Sequence, residues 1–349
     1  MKKIAIFQYD LGMGGIQKSL CNLLQMIDYD KYQVDLYLFT NECFFEQQIP
    51  DQVHVTYLKA YMKWCKVVPF SLLYRLKQTT IKTSYDVAID FNSYAMECAI
   101  HCLKCSSKKH VIWCHNDVYQ KYQDEWKYRI LWSMFRGKYR YFDQVVAVST
   151  GAKQGFLQKL SYPEGQVVVI PNLIDTKEIM VKKEVPISFT VDSKYYNLIT
   201  VGRFCKQKGL DLLLATMRDV VKERTDIRLY LVGDGPERSK LEQLVTQYQL
   251  ENYVIFLGKQ ANPYPYMAQM DGFVLTSRYE GQGMVLWEAK ALGLELFFPK
   301  RLERYNPELV GCRKLVASLV AAKRKPKKET MLTDYNQQII EQFTQLMEG

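Results

Sequence analysis

Short apolar runs alternate along this chain with stretches of helical period. Residues 3–8 (KIAIFQ), 33–39 (QVDLYLF) and 53–58 read as buried strands. Residues 16–26, with Leu20, Leu23 and Leu24 at helical spacing, read as a helix. Further buried strands are predicted at 86–90 (DVAID), 111–114 (VIWC), 144–148 (QVVAV) and 167–170 (VVVI), before Pro171-Asn172 punctuates the pattern. Strand, glycine-rich loop and helix, in that order, open a doubly wound α/β unit.

Residues 176–196 are charged and irregular and are read as the linker. A second α/β unit follows. Its strands are predicted at 197–201 (NLITV), 228–232 (RLYLV), 254–257 (VIFL), 271–276 (DGFVLT) and 295–299 (ELFFP), and its helices at 210–223, 238–248 and 265–270. The charge run 323–328 (KRKPKK) is expected to be solvated. Residues 334–347, with Ile339, Ile340, Phe343 and Leu346 at helical spacing, are expected to form a closing helix. The predicted domains are 1–172, 173–330, and a C-terminal helix at 331–349 that crosses back to the first. Two such units are expected to face each other across a ligand cleft at the carboxyl ends of their strands.

Composition narrows the class. A chain of 349 residues can hold two cores, and a hydrophobic content of 48% argues against disorder. No apolar run reaches 18 residues, and the run after the N-terminal lysines is too short for a signal-peptide core. Nine scattered cysteines suit a reducing cytoplasm. The net charge of +10 calls for an anionic partner. Part of it is concentrated: residues 52–85 carry Lys59, Lys63, Lys66, Arg75, Lys77 and Lys82 and no acid, interleaved with aromatic and aliphatic residues. Lys59 to Lys82 therefore reads as contact with an anionic membrane surface, or as an ordinary amphipathic helix on its own domain. No nucleic-acid reading motif accompanies it.

The stretch with the most chemistry is 278–293 (RYEGQGMVLWEAKALG). Glu280 and Glu288 are eight positions apart across a glycine-flanked turn that follows the DGFVLT strand. A helix starting near Gly283 would present its first N–H groups to an anion. Gly202 to Gly209 (GRFCKQKG) follows the first strand of the second unit, and Arg203 and Lys208 there can hold a diphosphate without metal. His115 directly follows VIWC, at a strand's carboxyl end. Gly12 to Ser19 fails as a dinucleotide fingerprint for want of the third glycine, and as a P-loop because Gln17 precedes Lys18. It remains a tight turn that can aim a helix N-terminus at substrate, or a plain strand–helix turn. Cys98, Cys102 and Cys105 have iron–sulfur spacing, and a zinc site with His101 or His110 is the other metal reading. The stretch 95–104 has no glycine and reads as a helix, where buried free thiols are expected.

Together these pieces resemble the family-four retaining glycosyltransferases of the GT-B fold. The resemblance runs from Lys3 to about Gly293, through GGIQKS, VVAVSTGAK, VIPNLID, VGRFCKQKG, LVGDGPE, VIFLG and EGQGMVLWE. It implies a bacterial cell-surface polysaccharide or glycolipid enzyme with two Rossmann-like domains, an acceptor-binding one first and a nucleotide-sugar-binding one second. Arg203 and Lys208 would hold the donor diphosphate, helped by backbone amides around Gly283 and Met284. Glu288 would bind ribose hydroxyls and Glu280 the donor sugar. His115 would contact the sugar and the reaction centre, and Gly14 and Gly15 would let the first loop close over the substrates. The implied donor is a nucleotide-diphosphate sugar, a UDP-sugar first among them, with no cofactor and no metal. The implied acceptor is lipid-linked or another cell-surface glycan, at the cytoplasmic face of the inner membrane. The segment that follows the paired glutamates, Ala291 to Gly311 (ALGLELFFPKRLERYNPELVG), is shorter than the family's and lacks the glycines of its loop. That departure motivates the alternative of a non-catalytic, transferase-like subunit that binds a partner or an acceptor.

Overall fold

The computed structural model describes residues 1–62, 65 and 68–349. Lys63 and Lys66 of the basic segment lie outside the described residues. Contacts between Cα atoms divide the chain into two units, residues 1–173 with 334–349, and residues 174–333.

Unit 1 is built on β1 (Lys2–Phe7), β2 (Tyr32–Leu38), β3 (His54–Tyr57), β4 (Ser84–Asp90), β5 (Ser106–Cys114), β6 (Gln144–Ala147) and β7 (Val167–Val169). Among the described residues these pair in parallel in the order β3-β2-β1-β4-β5-β6-β7. Ile4 lies opposite Val34 and Val87, and Ile6 opposite Leu36 and Ile89, all buried. Around the sheet run α1 (Gly15–Met26), α2 (Phe70–Leu76), α3 (Met96–Lys104), α4 (Val118–Asp124), α5 (Trp126–Phe135) and α6 (Thr150–Lys159). The C-terminal helix Thr333–Glu348 supplies residues 334–348 to this unit. Phe343 packs against Tyr32 and Trp113, and Lys109 Nζ donates to the Leu346 carbonyl at 2.9 Å.

β5 begins five residues before the predicted strand. Ser106, Ser107 and Lys109 pair with Ser84, Tyr85 and Val87, although polar residues hide them from an apolar-run reading. At the other end of β4 the Asp90 carboxylate is fully buried. It accepts from the N–H groups of Asn92 and Ser93, and Lys138 Nζ lies 3.5 Å away while donating to Ser93 O at 2.6 Å. Ser93 is held at φ 56°, a left-handed conformation that costs a serine about 1–2 kcal/mol.

Unit 2 has β8 (Tyr196–Val201), β9 (Ile227–Val232), β10 (Val254–Gly258), β11 (Gly272–Val274) and β12 (Glu295–Phe297), parallel in the order β10-β9-β8-β11-β12. Its helices are α7 (Thr176–Lys182), α8 (Leu210–Val220), α9 (Arg238–Gln247), α10 (Tyr264–Gln269), α11 (Met284–Ala291) and α12 (Leu315–Ala321). Two expectations need correcting here. The stretch read as linker holds α7, whose N-cap Asp175 accepts from Glu178 N at 2.9 Å and which buries Ile179. It is short and mostly polar, which hid its period. The charge run 323–328 is not simply solvated. Arg324 grips Asp271 with two bonds, at 2.6 and 2.9 Å, Lys325 pairs with Glu295 at 2.8 Å, and Lys327 donates to Ala268 O. The run straps the amino ends of β11 and β12.

In each sheet the chain reverses direction beside its first strand, between β1 and β4 and between β8 and β11. Such switch points leave crevices outside the carboxyl ends of the strands, where ligands bind in doubly wound folds.

Candidate active site

In unit 2, two loops meet at the switch point: Gly202–Gly209 after β8, and Thr276–Gly283 after β11. The first ends in a 3-10 turn, Lys206–Lys208, and then Gly209 at φ 61°. A side chain at Gly209 would place Cβ 2.5 Å from Thr276 O, so the left-handed turn and the close approach both require glycine. Thr276 Oγ1 donates to Gly209 O at 2.9 Å, Arg278 N to Gln207 O at 2.7 Å, and Gln207 Nε2 to Tyr279 O at 3.2 Å. Arg278 adds a two-pronged bond to Asp211, at 2.8 and 2.6 Å, and one to Lys206 O at 2.8 Å. Its hydrogen bonds to Asp211, and then its charge, hold that carboxyl below the usual range. Arg301 clamps the second loop from outside, donating to Arg278 O and Thr276 O.

These bonds bring Lys208 to Glu280. The Glu280 side chain is buried, and one oxygen, Oε1, accepts from Lys208 Nζ at 2.8 Å and Ser277 Oγ at 2.5 Å. Among the described residues its Oε2 accepts no hydrogen bond. Burial works against the Lys208 ammonium, but the Glu280 charge and hydrogen bond outweigh it and hold Lys208 above the ordinary lysine range. Arg203, predicted beside Lys208, is exposed instead, and among the described residues its side chain forms no hydrogen bond or ion pair. The sequence-predicted cations therefore differ: one is tied to a carboxylate and one is uncommitted.

α11 starts where predicted, with Gly283 at its N-cap and no side-chain cap. The Met284 N–H turns back onto Gln282 O at 2.9 Å. Within α11, Trp287 Nε1 donates to Asn306 Oδ1 at 2.9 Å, and among the described residues Asn306 Nδ2 is buried without a partner, 3.1 Å from where a Gly283 side chain would begin. Glu288 hydrogen-bonds the buried Tyr264 hydroxyl, whose proton is held well above the usual range by burial and then by the Glu288 charge.

In unit 1, Gly14 is the N-cap of α1, and a side chain there would run into Gln17 Oε1 at 2.4 Å. Nothing lies within 4 Å of the corresponding point on Gly15. Gln17 donates to Asp10 at 2.7 Å, Lys18 to Gln48, and Ser19 to Asn172 at 2.5 Å, so all three polar residues of the GGIQKS turn have structural partners. His115 Nε2–H donates to Phe91 O at 2.7 Å. A carbonyl can only accept, so the other nitrogen, Nδ1, carries a lone pair. Burial pushes the imidazole pKa down to about 4, against the pull of the Phe91 bond, so the ring is neutral at pH 7. Cys98, Cys102 and Cys105 are buried free thiols in or beside α3, and among the described residues no three His, Cys, Asp or Glu side chains cluster as metal ligands.

Sequence reasoning missed Ser277, the Arg278–Asp211 bond, Arg301 and Asn306. For Ser277 a signal existed: a serine three residues before a glutamate is at local hydrogen-bonding distance in sequence. For Arg301 and Asn306, both beyond Gly293, the sequence carried no signal.

Residues 13–178 match the family model described as Glycosyltransferase Family 4, and residues 181–297 the model described as Glycosyl transferases group 1. The chain belongs to the family-four glycosyltransferases. Among family relatives is the N-acetylgalactosamine-N,N'-diacetylbacillosaminyl-diphospho-undecaprenol 4-alpha-N-acetylgalactosaminyltransferase of Campylobacter jejuni, 26% identical over 83% of this chain and 79% of that protein. Another is an uncharacterized glycosyltransferase of Methanocaldococcus jannaschii, 24% identical over 54% of this chain; the match spans about half that protein, 47%. HepE of Anabaena, solved in complex with UDP and glucose, has the same fold at a TM-score of 0.66 and 19% identity, over 99% of this chain and 100% of that one. The family's GT-B architecture is thus the fold of this chain.

Proposed function

We propose that this chain is a retaining hexosyltransferase. It moves a hexose from a nucleotide-diphosphate sugar, a UDP-sugar first among them, to a lipid-linked or other cell-surface glycan acceptor at the cytoplasmic membrane face. The observation that carries the reading is the Lys208–Glu280–Ser277 cluster at the switch point of unit 2, beside the uncapped start of α11. An ammonium has three donors, and Lys208 uses one on Glu280. The other two are available to phosphate oxygens, and uncommitted Arg203 can grip the same diphosphate in a bidentate way. The amides around Gly283 and Met284 add partial positive charge.

In this reading the bond from the anomeric carbon to the diphosphate breaks and one to the acceptor oxygen forms on the same face. The acceptor proton passes to the leaving phosphate, so no dedicated protein base is required. Arg203 and Lys208 stabilise the charge that develops on the diphosphate, work that a metal does elsewhere. Glu280 offers Oε2 to a donor-sugar hydroxyl, and Glu288 binds the ribose. His115 is neutral and offers Nδ1 as an acceptor to the sugar, and Gly14 and Gly15 let their loop approach the substrates. The name of the Campylobacter relative, which includes diphospho-undecaprenol, supports the lipid-linked acceptor, and the HepE complex supports the UDP-sugar donor.

The test is release of nucleoside diphosphate from a panel of sugar nucleotides with membrane extract, with and without EDTA. Release that persists in EDTA and is lost in Glu280→Ala is the expected result. No release with any donor, or unchanged release in Glu280→Ala, overturns the reading. Binding can be read separately, since a donor at 100 times its Kd raises stability by about 2.7 kcal/mol.

A further inference from the structure

The acid-free basic segment at 52–85 has a structural neighbour that its sequence position does not suggest. α2 packs its inner residues, Phe70 and Leu73, into the core of unit 1, and sets the Phe70 and Tyr74 rings at a tilt against Tyr141. Tyr141 ends a 3-10 turn, Arg136–Tyr141, that continues directly from α5. α5 likewise buries Tyr128, Trp132 and Phe135. The two helices are therefore joined through one turn along the flank of the same unit.

Their outer faces repeat one pattern. On α2, Leu72 and Leu76 are 48% and 65% exposed and stand one turn apart. On α5, Trp126 and Ile130 are 65% and 54% exposed, again one turn apart, with Leu131 beside them. Basic side chains flank both pairs: Arg75 and Lys77 on the first, and Lys127, Arg129, Arg136 and Arg140 on the second and its following turn. From Trp126 to Phe142, as from Gln52 to Tyr85, the chain has no acidic residue. The one lysine of the 126–142 stretch that is buried, Lys138, is the one paired with Asp90. Asp124 and Glu125 precede α5, where acids suit a helix start.

Exposed indole and aliphatic side chains cost free energy in water, and among the described residues of unit 1 they stay exposed. A protein partner would be expected to seat on an apolar centre poor in charge, with the charges at the rim. Here bulky apolar and cationic side chains interleave with no acid. That arrangement suits an interface where tails accept the apolar groups and headgroups the cations. We infer that α2, the 136–141 turn and α5 together form one docking surface for an anionic bilayer, with Trp126 and Ile130 as its inserting pair. This extends the membrane part of the proposed function to a second helix, and vesicle binding is read independently of sugar transfer.

The experiment sediments the full chain with phosphatidylglycerol–phosphatidylcholine vesicles and with phosphatidylcholine vesicles, at low and high salt. Binding is expected to need phosphatidylglycerol and to weaken with salt. Trp126→Ser with Ile130→Ser is expected to lower the partition coefficient by about tenfold, and Lys127→Ala and Arg136→Ala each by about fivefold. Leu72→Ser with Leu76→Ser is expected to act in the same direction. The replaced side chains are exposed, and unchanged circular dichroism and unchanged stabilisation by UDP verify the fold. Trp126→Phe is expected to bind while losing the blue shift in tryptophan emission that vesicles cause in the wild type. Equal binding to both vesicle types overturns the inference, as does full binding by the Trp126/Ile130 double variant. A wild-type dimer that this variant makes monomeric, with vesicle binding unchanged, overturns it in favour of a second copy of the chain.

Discussion

Ser277 and Lys208 donate to the same oxygen of Glu280, at 2.5 and 2.8 Å, from loops that follow different strands. One carboxylate oxygen is therefore fixed by the protein, and among the described residues the other accepts no hydrogen bond. Ser277→Ala removes a hydrogen bond to a charged group and lets the carboxylate turn. A kcat reduced by about tenfold, with donor KM changed less than about threefold, is expected in a nucleotide-release assay. A loss confined to KM would show that Ser277 acts on binding instead.

Lys208 and Glu280 should prove coupled in stability but not in donor binding. Lys208→Ala leaves a buried carboxylate without its cation and is expected to cost about 1–3 kcal/mol in denaturant unfolding. Adding Glu280→Ala should recover part of that loss, because no charge is then left unpaired. Thermal-shift titration with UDP should show no recovery in the double variant, since Lys208, the proposed diphosphate ligand, is still missing.

The two glycine loops separate fold from function. Gly209→Ala forces a side chain to within 2.5 Å of a carbonyl at φ 61°, and a loss of about 2–4 kcal/mol is expected by calorimetry. Gly15→Ala meets open space at the start of α1 and should leave Tm unchanged or raised by the better helix former. If the loop must approach substrate, activity of that variant falls by about tenfold or more despite the intact fold. Full activity would show that Gly15 has no part in it.

Acid should destabilise unit 1 through two histidines. Burial lowers both His115 and His101 to about 4, from 6.5. The unfolded chain then binds more protons between those values. The stabilisation from each neutral ring is complete above pH 6.5 and is lost as pH falls towards 4. At pH 5 the loss is on the order of 2 kcal/mol per ring. His115→Gln should narrow the difference in stability between pH 7 and pH 5. An unchanged difference would show that His115 titrates normally.

The order of elements was legible because parallel strands buried on both faces are written as apolar runs. The strand VIWC and the turn at Gly283 stood out for that reason. Ser106–Lys109 did not, because the amino end of β5 is polar and gains its place only by pairing with β4. Glu280 and Lys208 could be named from spacing, but their bond could not, since it joins residues 72 positions apart. Arg203 and Lys208 looked equivalent in sequence and differ in the fold, where one is paired and the other exposed. α7 and the strap at Arg324 were misread because charged residues look alike whether they face water or a partner.

The C-terminal helix carries a consequence for how the chain is made. Residues 174–333 form one uninterrupted unit and can close as soon as they have left the ribosome. Unit 1 is different, since Tyr32 and Trp113 wait for Phe343, which is synthesised more than two hundred residues later. Until then its sheet carries a bare apolar flank. A nascent chain stopped at Thr333 would therefore hold one finished unit and one that still lacks its last helix.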